Sequence, residues 1–387
     1  MATTRKTYKY KLAPTSDQEH HLGQWLGTCR FVYNCALEHR ITAWKMRRIT
    51  RFQQEAELKD VRAEIPWIAE VHSHPLQDVL ARLDKAYQAF FRRVKAGEKA
   101  GFPRFQGKNR FHSFTFKEYG NGARCDNGFL VLSKIRRVKV IWSRPLEGTP
   151  KTVTLSKQAD GWYVSFSCAE VPCAPLPKTG NEIGIDMELS AFSTDSHGQK
   201  IVYPQFYRKA EQHLQKAHRK VSRRKKGSKR RKKAVHELQM AYLTVKRQRE
   251  DFHHKTALKL VRENDVIYHE HLQIANMVKN RHLAKSISDA AWGTFLLILS
   301  GKTAYAGRDV IAVPAQYTSQ DCVRHRERGA LWRARQEILE CPHPRLSEMW
   351  LHRRPRSECA GEIQWRGQRL RGLAGLPAGV NRASAGL

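Results

Sequence analysis

Residues 5–12, RKTYKYKL, alternate basic with apolar or aromatic side chains, the pattern of a strand with one wet face. A single strand is not stable in water and needs neighbours to complete a sheet. Its partners lie far along the chain. Between residues 126 and 172 the runs FLVL, VKVIW, TVTL and WYVSFS are punctuated by Gly, Pro, Asn and Asp, the signature of a small β unit. The intervening block has helical character. Pro14 ends the strand, and Thr15 or Ser16 can cap a helix with Gln18 or Glu19 completing a capping box. Leu22, Trp25, Leu26, Cys29, Val32, Tyr33 and Ala36 then recur at helical spacing, and Leu80, Leu83, Ala86, Phe90 and Val94 continue the pattern to about residue 97. The chain therefore reads as a sheet-forming domain interrupted by a helical insertion.

The stretch 171–180, VPCAPLPKTG, carries three prolines and reads as a linker. From residue 181 strands alternate with helices, which indicates an α/β arrangement. Strand candidates are 183–186, 191–194, 266–268 and 310–313, with a long polar helix pair over about 204–262 and another helix at about 286–300. Beyond residue 322 the composition changes. Lys302 is the last lysine and Asp321 the last aspartate, yet nine arginines occur from 323 to 360, with Trp, Pro and His scattered without period.

The 70 Lys and Arg exceed the 36 Asp and Glu by 34, about one net positive charge per eleven residues. A compact chain with that much self-repulsion is most readily understood beside a polyanion. The longest apolar run, Trp292 to Leu299, is far too short to cross a bilayer, so no membrane partner is expected. The first residues show no secretory signal, and eight cysteines in a chain of this length suit a reducing cytoplasm.

Three constellations could carry chemistry. The run 219–233 has eleven basic residues of fifteen and no acid: Arg219, Lys220, Arg223, Arg224, Lys225, Lys226, Lys229, Arg230, Arg231, Lys232 and Lys233. It is either a solvated patch or a phosphate-contacting loop, and its place between two helix-forming segments favours the loop. In 102–119 the rings of Phe102, Phe105, Phe111, Phe114 and Phe116 interleave with Arg104, Lys108 and Arg110. That pattern suits stacking on unpaired bases, and equally a strand burying its aromatics against the β unit. Asp186 and Glu270 each follow a short apolar strand, where they are either ordinary strand-end acids or a pair able to hold Mg²⁺ or Mn²⁺ for phosphodiester chemistry. A fourth set, Cys322, His325, Cys341 and His343, has a span compatible with a Zn²⁺ ribbon but a poor second half.

At these residues the chain resembles the TnpB (OrfB) proteins of bacterial insertion sequences, relatives of the type V CRISPR effector nucleases. The resemblance is carried, in order, by YKYKLAPTSDQE, CRFVYNCALEHR, GFPRFQGKNRFHSFTF, GIDMELSAFSTDSHG, LVRENDVIYHEHLQIANMVKN, SISDAAWGTFLLIL, AQYTSQDC and a closing NRASAGL. It implies a multidomain α+β protein. A wedge-like β-barrel domain (1–13 and 120–172) would hold a helical recognition lobe (14–119). After the 173–180 linker would come an α/β RuvC-like nuclease domain of RNase H fold (181–321), a degenerate zinc-ribbon and third-motif region (322–362) and a tail (363–387). The resemblance also implies a guide RNA from the element's own end and double-stranded target DNA, and it leaves open a separate transposase as a further partner. Asp186 matches the first RuvC acid and Glu270 the second.

Departures from the family pattern are instructive. Met187 and Glu188 follow the first acid where a small apolar residue and Gly are usual, and His271 follows the second where Asp is usual. His325 and Pro344 replace two zinc-ribbon cysteines, and Arg356 occupies the position of the third acid, with Glu358 the nearest carboxylate. Two compensating frameshifts that replace roughly 323–361 are one hypothesis that would account for this. The encoding DNA decides the point: one of its other frames must yield two Cys-x-x-Cys pairs and an Asp-containing motif.

Overall fold

The computed structural model describes residues 2–44, 46–315 and 356–373. These divide into two compact units, one from Ala2 to Pro172 and one from Cys173 onward. The chain is thus a mixed α/β, multidomain protein.

In the first unit, strand β1 (Thr3–Ala13) is followed by helices α1 (Ser16–Ala43), α2 (Arg51–Glu64), α3 (Pro66–Ala69) and α4 (Ser73–Lys95). Six strands follow: β2 (Ser113–Phe116), β3 (Ala123–Asp126), β4 (Phe129–Leu132), β5 (Arg136–Ile141), β6 (Thr149–Gln158) and β7 (Gly161–Pro172). All seven strands form one curled antiparallel sheet in the order β2-β6-β7-β1-β5-β4-β3. β1 lies between β5 and β7, with Tyr8 opposite Phe166, so the first strand closes a sheet whose other members come after the helices. Alternation sets its inner face: Tyr8, Tyr10 and Leu12 are buried beside Trp162, Val164 and Phe166 of β7.

Thr15 caps α1 as a capping box, its hydroxyl accepting from the Gln18 amide while the Gln18 side chain accepts from the Thr15 amide. Leu22, Trp25, Cys29 and Val32 bury one stripe of α1, and Trp25 packs its ring 6.0 Å from Phe114 and 6.3 Å from Phe116. Arg82 of α4 ties the helices to β2, donating to the Ser113 carbonyl at 2.8 Å and the Thr115 hydroxyl at 2.9 Å. β2 therefore belongs to the sheet, although its residues lie within the stretch assigned above to the helical lobe.

The second unit contains a five-stranded sheet in the order β10-β9-β8-β11-β12. Its strands are β8 (Glu182–Met187), β9 (Ser193–Asp195), β10 (Lys200–Ile201), β11 (Val266–Glu270) and β12 (Asp309–Val313). β8, β9 and β10 pair antiparallel, whereas β11 lies parallel to both β8 and β12. Its helices are α5 (Phe206–Ser222), α6 (Lys229–Glu263), α7 (Ile274–Met277), α8 (Ala284–Ala290), α9 (Trp292–Ala306) and α10 (Arg356–Leu373). Ile183, Ile185 and Ile267 of the sheet form one core with Ala257, Leu260, Phe295 and Leu299 of α6 and α9. The apolar run at 292–299 is thus a core helix, and among the described residues no helix is long and apolar enough to cross a membrane.

The proline-rich segment read above as a linker is fastened to this unit. The Ala174 and Leu176 amides donate to the Tyr305 and Ala306 carbonyls, and Asp265 accepts from the Thr179 and Gly180 amides. Buried Arg308 joins Asp265 to the Pro177 carbonyl.

His253 of α6 is fully buried between the rings of Phe192 and Phe295. Its Nε2 donates to the Ala290 carbonyl at 3.0 Å, and its Nδ1 has no hydrogen-bond partner among the described residues. A neutral ring tolerates that; a protonated one would bury an unsatisfied N–H. Burial pushes its pKa down to about 4, against the bond to Ala290, with Arg249 and His254 adding to the depression and Glu250 opposing it. The unfolded chain titrates near 6.5. Between those values the unfolded state binds more protons, so this contribution is intact above about pH 6.5 and is lost as pH falls towards 4. Urea midpoints measured across that window are expected to decline with acidification. His253→Gln, which keeps a donor without the titration, is expected to flatten the decline.

Candidate active site

β8 and β11 are short runs of Ile, Val and Tyr, and they lie parallel with Val266 opposite Glu182 and His269 opposite Ile185. Side chains alternate along each strand. Ile183, Ile185 and Ile267 enter the helix-packed core. The other face carries Glu182, Gly184 and Asp186 on β8 and Val266, Tyr268 and Glu270 on β11. Asp186 and Glu270 each fall one step beyond the last paired residues, Ile185 and His269, so the register sets the two acids at equivalent positions on one face. Asp186 is 2% exposed and Glu270 8%.

The surroundings supply polar support. Glu188, 6% exposed, accepts from the Thr194 hydroxyl at 2.6 Å and the Ser190 hydroxyl at 2.7 Å. Thr194 itself sits opposite Asp186 in the β8–β9 pair. Sequence reasoning noted Glu188 only as a departure; the nearby Ser190 and Thr194 were the signal that it is a held, buried acid. His269 donates from Nδ1 to the Glu270 carbonyl at 2.8 Å, and burial holds its pKa below the usual histidine value, which keeps the ring neutral. Among the described residues no group of three or more His, Cys, Asp and Glu is placed to hold a metal ion.

Helix α10 crosses this face immediately before the acids. Ser357 lies against Gly198 in the β9–β10 turn, Ala360 and Gln364 lie on Gly184, and Gly367 sits on the Tyr268 ring. Ile363 joins Val266, Tyr268 and Val313 in a small core. Glu182 binds the far end of the helix, accepting from Gln368 at 2.8 Å, Arg371 at 2.5 Å and the Tyr268 hydroxyl at 3.0 Å. Burial, then the Glu182 charge, push the Tyr268 pKa up to about 12, so it remains a donor. Arg356, at the position the resemblance gives to the third acid, is the first residue of α10, and the Glu358 side chain in that turn is exposed. Cys322, His325, Cys341 and His343 lie outside the described residues.

The basic run forms the tip of an antiparallel helix hairpin. Arg219 and Lys220 end α5, Arg223 to Lys226 are in the turn, and Lys229 to Lys233 begin α6 behind the cap residue Ser228. Ten of the eleven basic side chains are exposed. Arg231 instead closes the turn, donating to the Val221 and Arg224 carbonyls at 2.8 and 3.0 Å, and Lys220 pairs with Glu237 at 2.5 Å.

The 102–119 stretch divides in two. Phe111, Phe114 and Phe116 are buried, the last two as alternate residues of β2. Phe102 and Phe105 are 45% and 52% exposed, and Arg104, Lys108 and Arg110 beside them are exposed too. Asn34 of α1 fixes this outer part by exchanging hydrogen bonds with the Gln106 backbone.

Comparison with known proteins places these features in a family. Residues 165–281 match the family described as "Probable transposase", and residues 1–48 match one described as "Helix-turn-helix domain". The latter stretch holds the strand β1 and the single long helix α1. The chain is 37% identical to a Streptomyces pristinaespiralis protein named "Putative RNA-guided DNA endonuclease", over 82% of this chain and 80% of that one. It is 27% identical to Escherichia coli K12 "Putative RNA-guided DNA endonuclease InsQ", over 82% of each chain. In fold it is similar to a Cas12f1 chain solved in a complex with sgRNA and target DNA, with a TM-score of 0.54 at 10% identity over 94% of this chain and 99% of that one. With 37% identity to a relative across four-fifths of its length, this chain belongs to the TnpB (OrfB) family of insertion-sequence proteins.

Proposed function

We propose that the chain is built as an RNA-guided DNA endonuclease whose cleavage centre is incomplete. The observation that carries this is the placement of Asp186 and Glu270 at equivalent positions on one face of neighbouring parallel strands, together with Arg356 where the family has its third acid. The strand order, three antiparallel strands followed by two parallel ones, suits an RNase H-like RuvC domain over 181–321. On the same reading the seven-stranded sheet is the wedge-like domain and the inserted helices are the recognition lobe. The printed names of the two relatives support RNA guidance, and the exposed hairpin tip 219–233 suits contact with guide RNA or the guide–target duplex.

Two hard carboxylate ligands suit Mg²⁺ or Mn²⁺, which bind through one or two carboxylates and keep several waters. Asp186 and Glu270 are the residues that would hold such an ion. When bound, it supplies charge neutralisation for in-line phosphodiester displacement. His269 stiffens the backbone at Glu270, and the Thr194–Glu188–Ser190 set stiffens the loop after Asp186. Zn²⁺ binding at Cys322 and Cys341 stays an expectation of the resemblance. An arginine in place of the third carboxylate removes one ligand and adds a cation, both of which weaken divalent-metal binding.

With guide RNA, Mg²⁺ and a matched target, the chain is expected to bind DNA and to cut no faster than its Asp186→Ala variant. Robust cutting that Asp186→Ala abolishes would show a complete centre and overturn the impairment. Guide-directed binding without cleavage, the repressor-like alternative, needs only the charged surfaces. It predicts target occupancy that survives Asp186→Ala and is lost on neutralising 219–233.

A further inference from the structure

The helices of the first unit enclose a pocket that neither the acids nor the basic hairpin uses. Its cavity volume of about 540 Å³ falls within the usual range for small-molecule sites. Two exposed rings, Trp44 and Phe91, stack on one wall with centroids 5.7 Å apart and planes inclined by 16°. Cations sit on the rings: the Arg48 guanidinium lies 5.3 Å from the Trp44 centroid and that of Arg51 lies 4.8 Å from Phe52.

The floor is Arg40, which is 6% exposed. Its Nε donates to Gln54 at 2.8 Å and its Nη1 to Asp84 at 3.1 Å, while its guanidinium lies 5.2 Å from the Tyr87 centroid. The Arg40 Nη2 and the Tyr87 hydroxyl are both buried and have no hydrogen-bond partner among the described residues. Such atoms are costly to leave unmade and mark a place where an absent group completes the hydrogen bonding.

We propose that this pocket binds one unpaired nucleobase and its phosphate. The Trp44–Phe91 wall offers a stacking surface, as aromatic platforms do for bases of any sequence. Arg48 supplies a cation for the phosphate, with Arg51, itself paired with Glu55 at 3.4 Å, beside it, and Arg40 and Tyr87 present polar atoms to the carbonyl and ring-nitrogen acceptors of a base edge. An apolar ligand would leave the Arg40 Nη2 and the Tyr87 hydroxyl without a partner, and a duplex would present no free ring face. Ring contacts of Tyr87 with Phe91 and with Phe102 join the pocket to the outer half of the 102–119 stretch, so a strand leaving the pocket meets further aromatic and basic side chains. The site rests on the reading of this chain as a nucleic-acid binder, and not on its cutting anything.

The test uses the full-length chain with uracil hexamers of RNA or DNA carrying one 5-iodouracil, and a duplex of equal charge as control. Irradiation followed by mass spectrometry is expected to place the cross-link on the Trp44 or Phe91 peptide. Trp44→Ala is expected to weaken hexamer binding roughly tenfold, the loss of one base stack, with the duplex unaffected and Trp44→Tyr close to the parent. Trp44 is 46% exposed, so an unchanged melting temperature confirms that the variant folds. The tighter of the RNA and DNA hexamers identifies the strand. Cross-links confined to Phe102 or Phe105, or hexamer affinity untouched by Trp44→Ala, would overturn the pocket alone. Absence of binding by every nucleic acid would overturn both the pocket and the wider reading.

Discussion

Replacing Arg223, Arg224, Lys225, Lys226, Lys229 and Arg230 together by glutamine is expected to lower affinity for guide RNA roughly 10³-fold near physiological salt. All six side chains are exposed and cluster at the tip of the α5–α6 hairpin. A cation that neutralises a phosphate releases condensed counterions, and the logarithmic salt slope for single strands shifts by about 0.7 per contact. Six contacts therefore flatten the slope by about 4. Filter binding across a salt series reads both quantities. Stability is expected to stay near the parent, because Arg231 and Lys220, whose side chains hold the hairpin together, are left in place. Arg231→Gln provides the contrast: it frees the Val221 and Arg224 carbonyls and destabilises the turn, while changing the slope by about one contact at most. An unchanged slope in the six-fold variant would remove this hairpin from the nucleic-acid surface.

The second large effect concerns two glycines that let α10 lie on the sheet. A Cβ at Gly184 would overlap the Ala360 carbonyl oxygen, and one at Gly367 would overlap the Tyr268 ring. Neither neighbour yields cheaply: the first is helix backbone and the second a fully buried ring whose hydroxyl is bonded to Glu182. Gly367→Ala gains about 1 kcal/mol of helix propensity, whereas overpacking a rigid contact costs about 1–3 kcal/mol or more. The clash therefore wins, and Gly184→Ala, with no propensity gain to offset it, is expected to be the worse, at about 3 kcal/mol. Denaturant unfolding checks the sum, and faster amide exchange confined to 356–373 and β8 checks the cause. A cycle combining Gly367→Ala with Tyr268→Leu is expected to be clearly less than additive, since both act at one contact. Because α10 crosses the face two residues before Asp186 and Glu270 on their strands, either glycine variant is also expected to loosen the acid pair.

Some of this could be read directly along the chain. The capping box at Thr15, the alternation of β1 and the two apolar strands ending in acids are local patterns, and local patterns are written in consecutive residues. The family resemblance, carried by motifs in order, added the pairing of Asp186 with Glu270 as a role. It could not supply the reason that the acids share one face, which is the register Val266 to Glu182 between residues 84 positions apart in the chain.

Other features had no local signature. Nothing in 102–119 says that Phe114 and Phe116 go inward while Phe102 and Phe105 stay out; pairing of Ser113–Phe116 with β6 decides it. Within an unbroken run of cations, Arg231 differs from its neighbours only because the hairpin brings two carbonyls to its guanidinium. A proline-rich segment read as a linker is fastened by Asp265, which lies far downstream, immediately before β11.

Composition and periodicity alone indicated a basic chain of several domains, and motifs in order carried the resemblance to this family, from which Asp186, Glu270 and Arg356 take their expected positions. Side-chain period and residue type are enough for the first conclusion because they depend on each element by itself. The shared face of the acids, the glycine contacts under α10 and the aromatic pocket at Trp44 were decided only by tertiary structure. Each arises where segments distant in sequence meet, and close packing and unsatisfied polar atoms exist only once both sides of such a contact are in place.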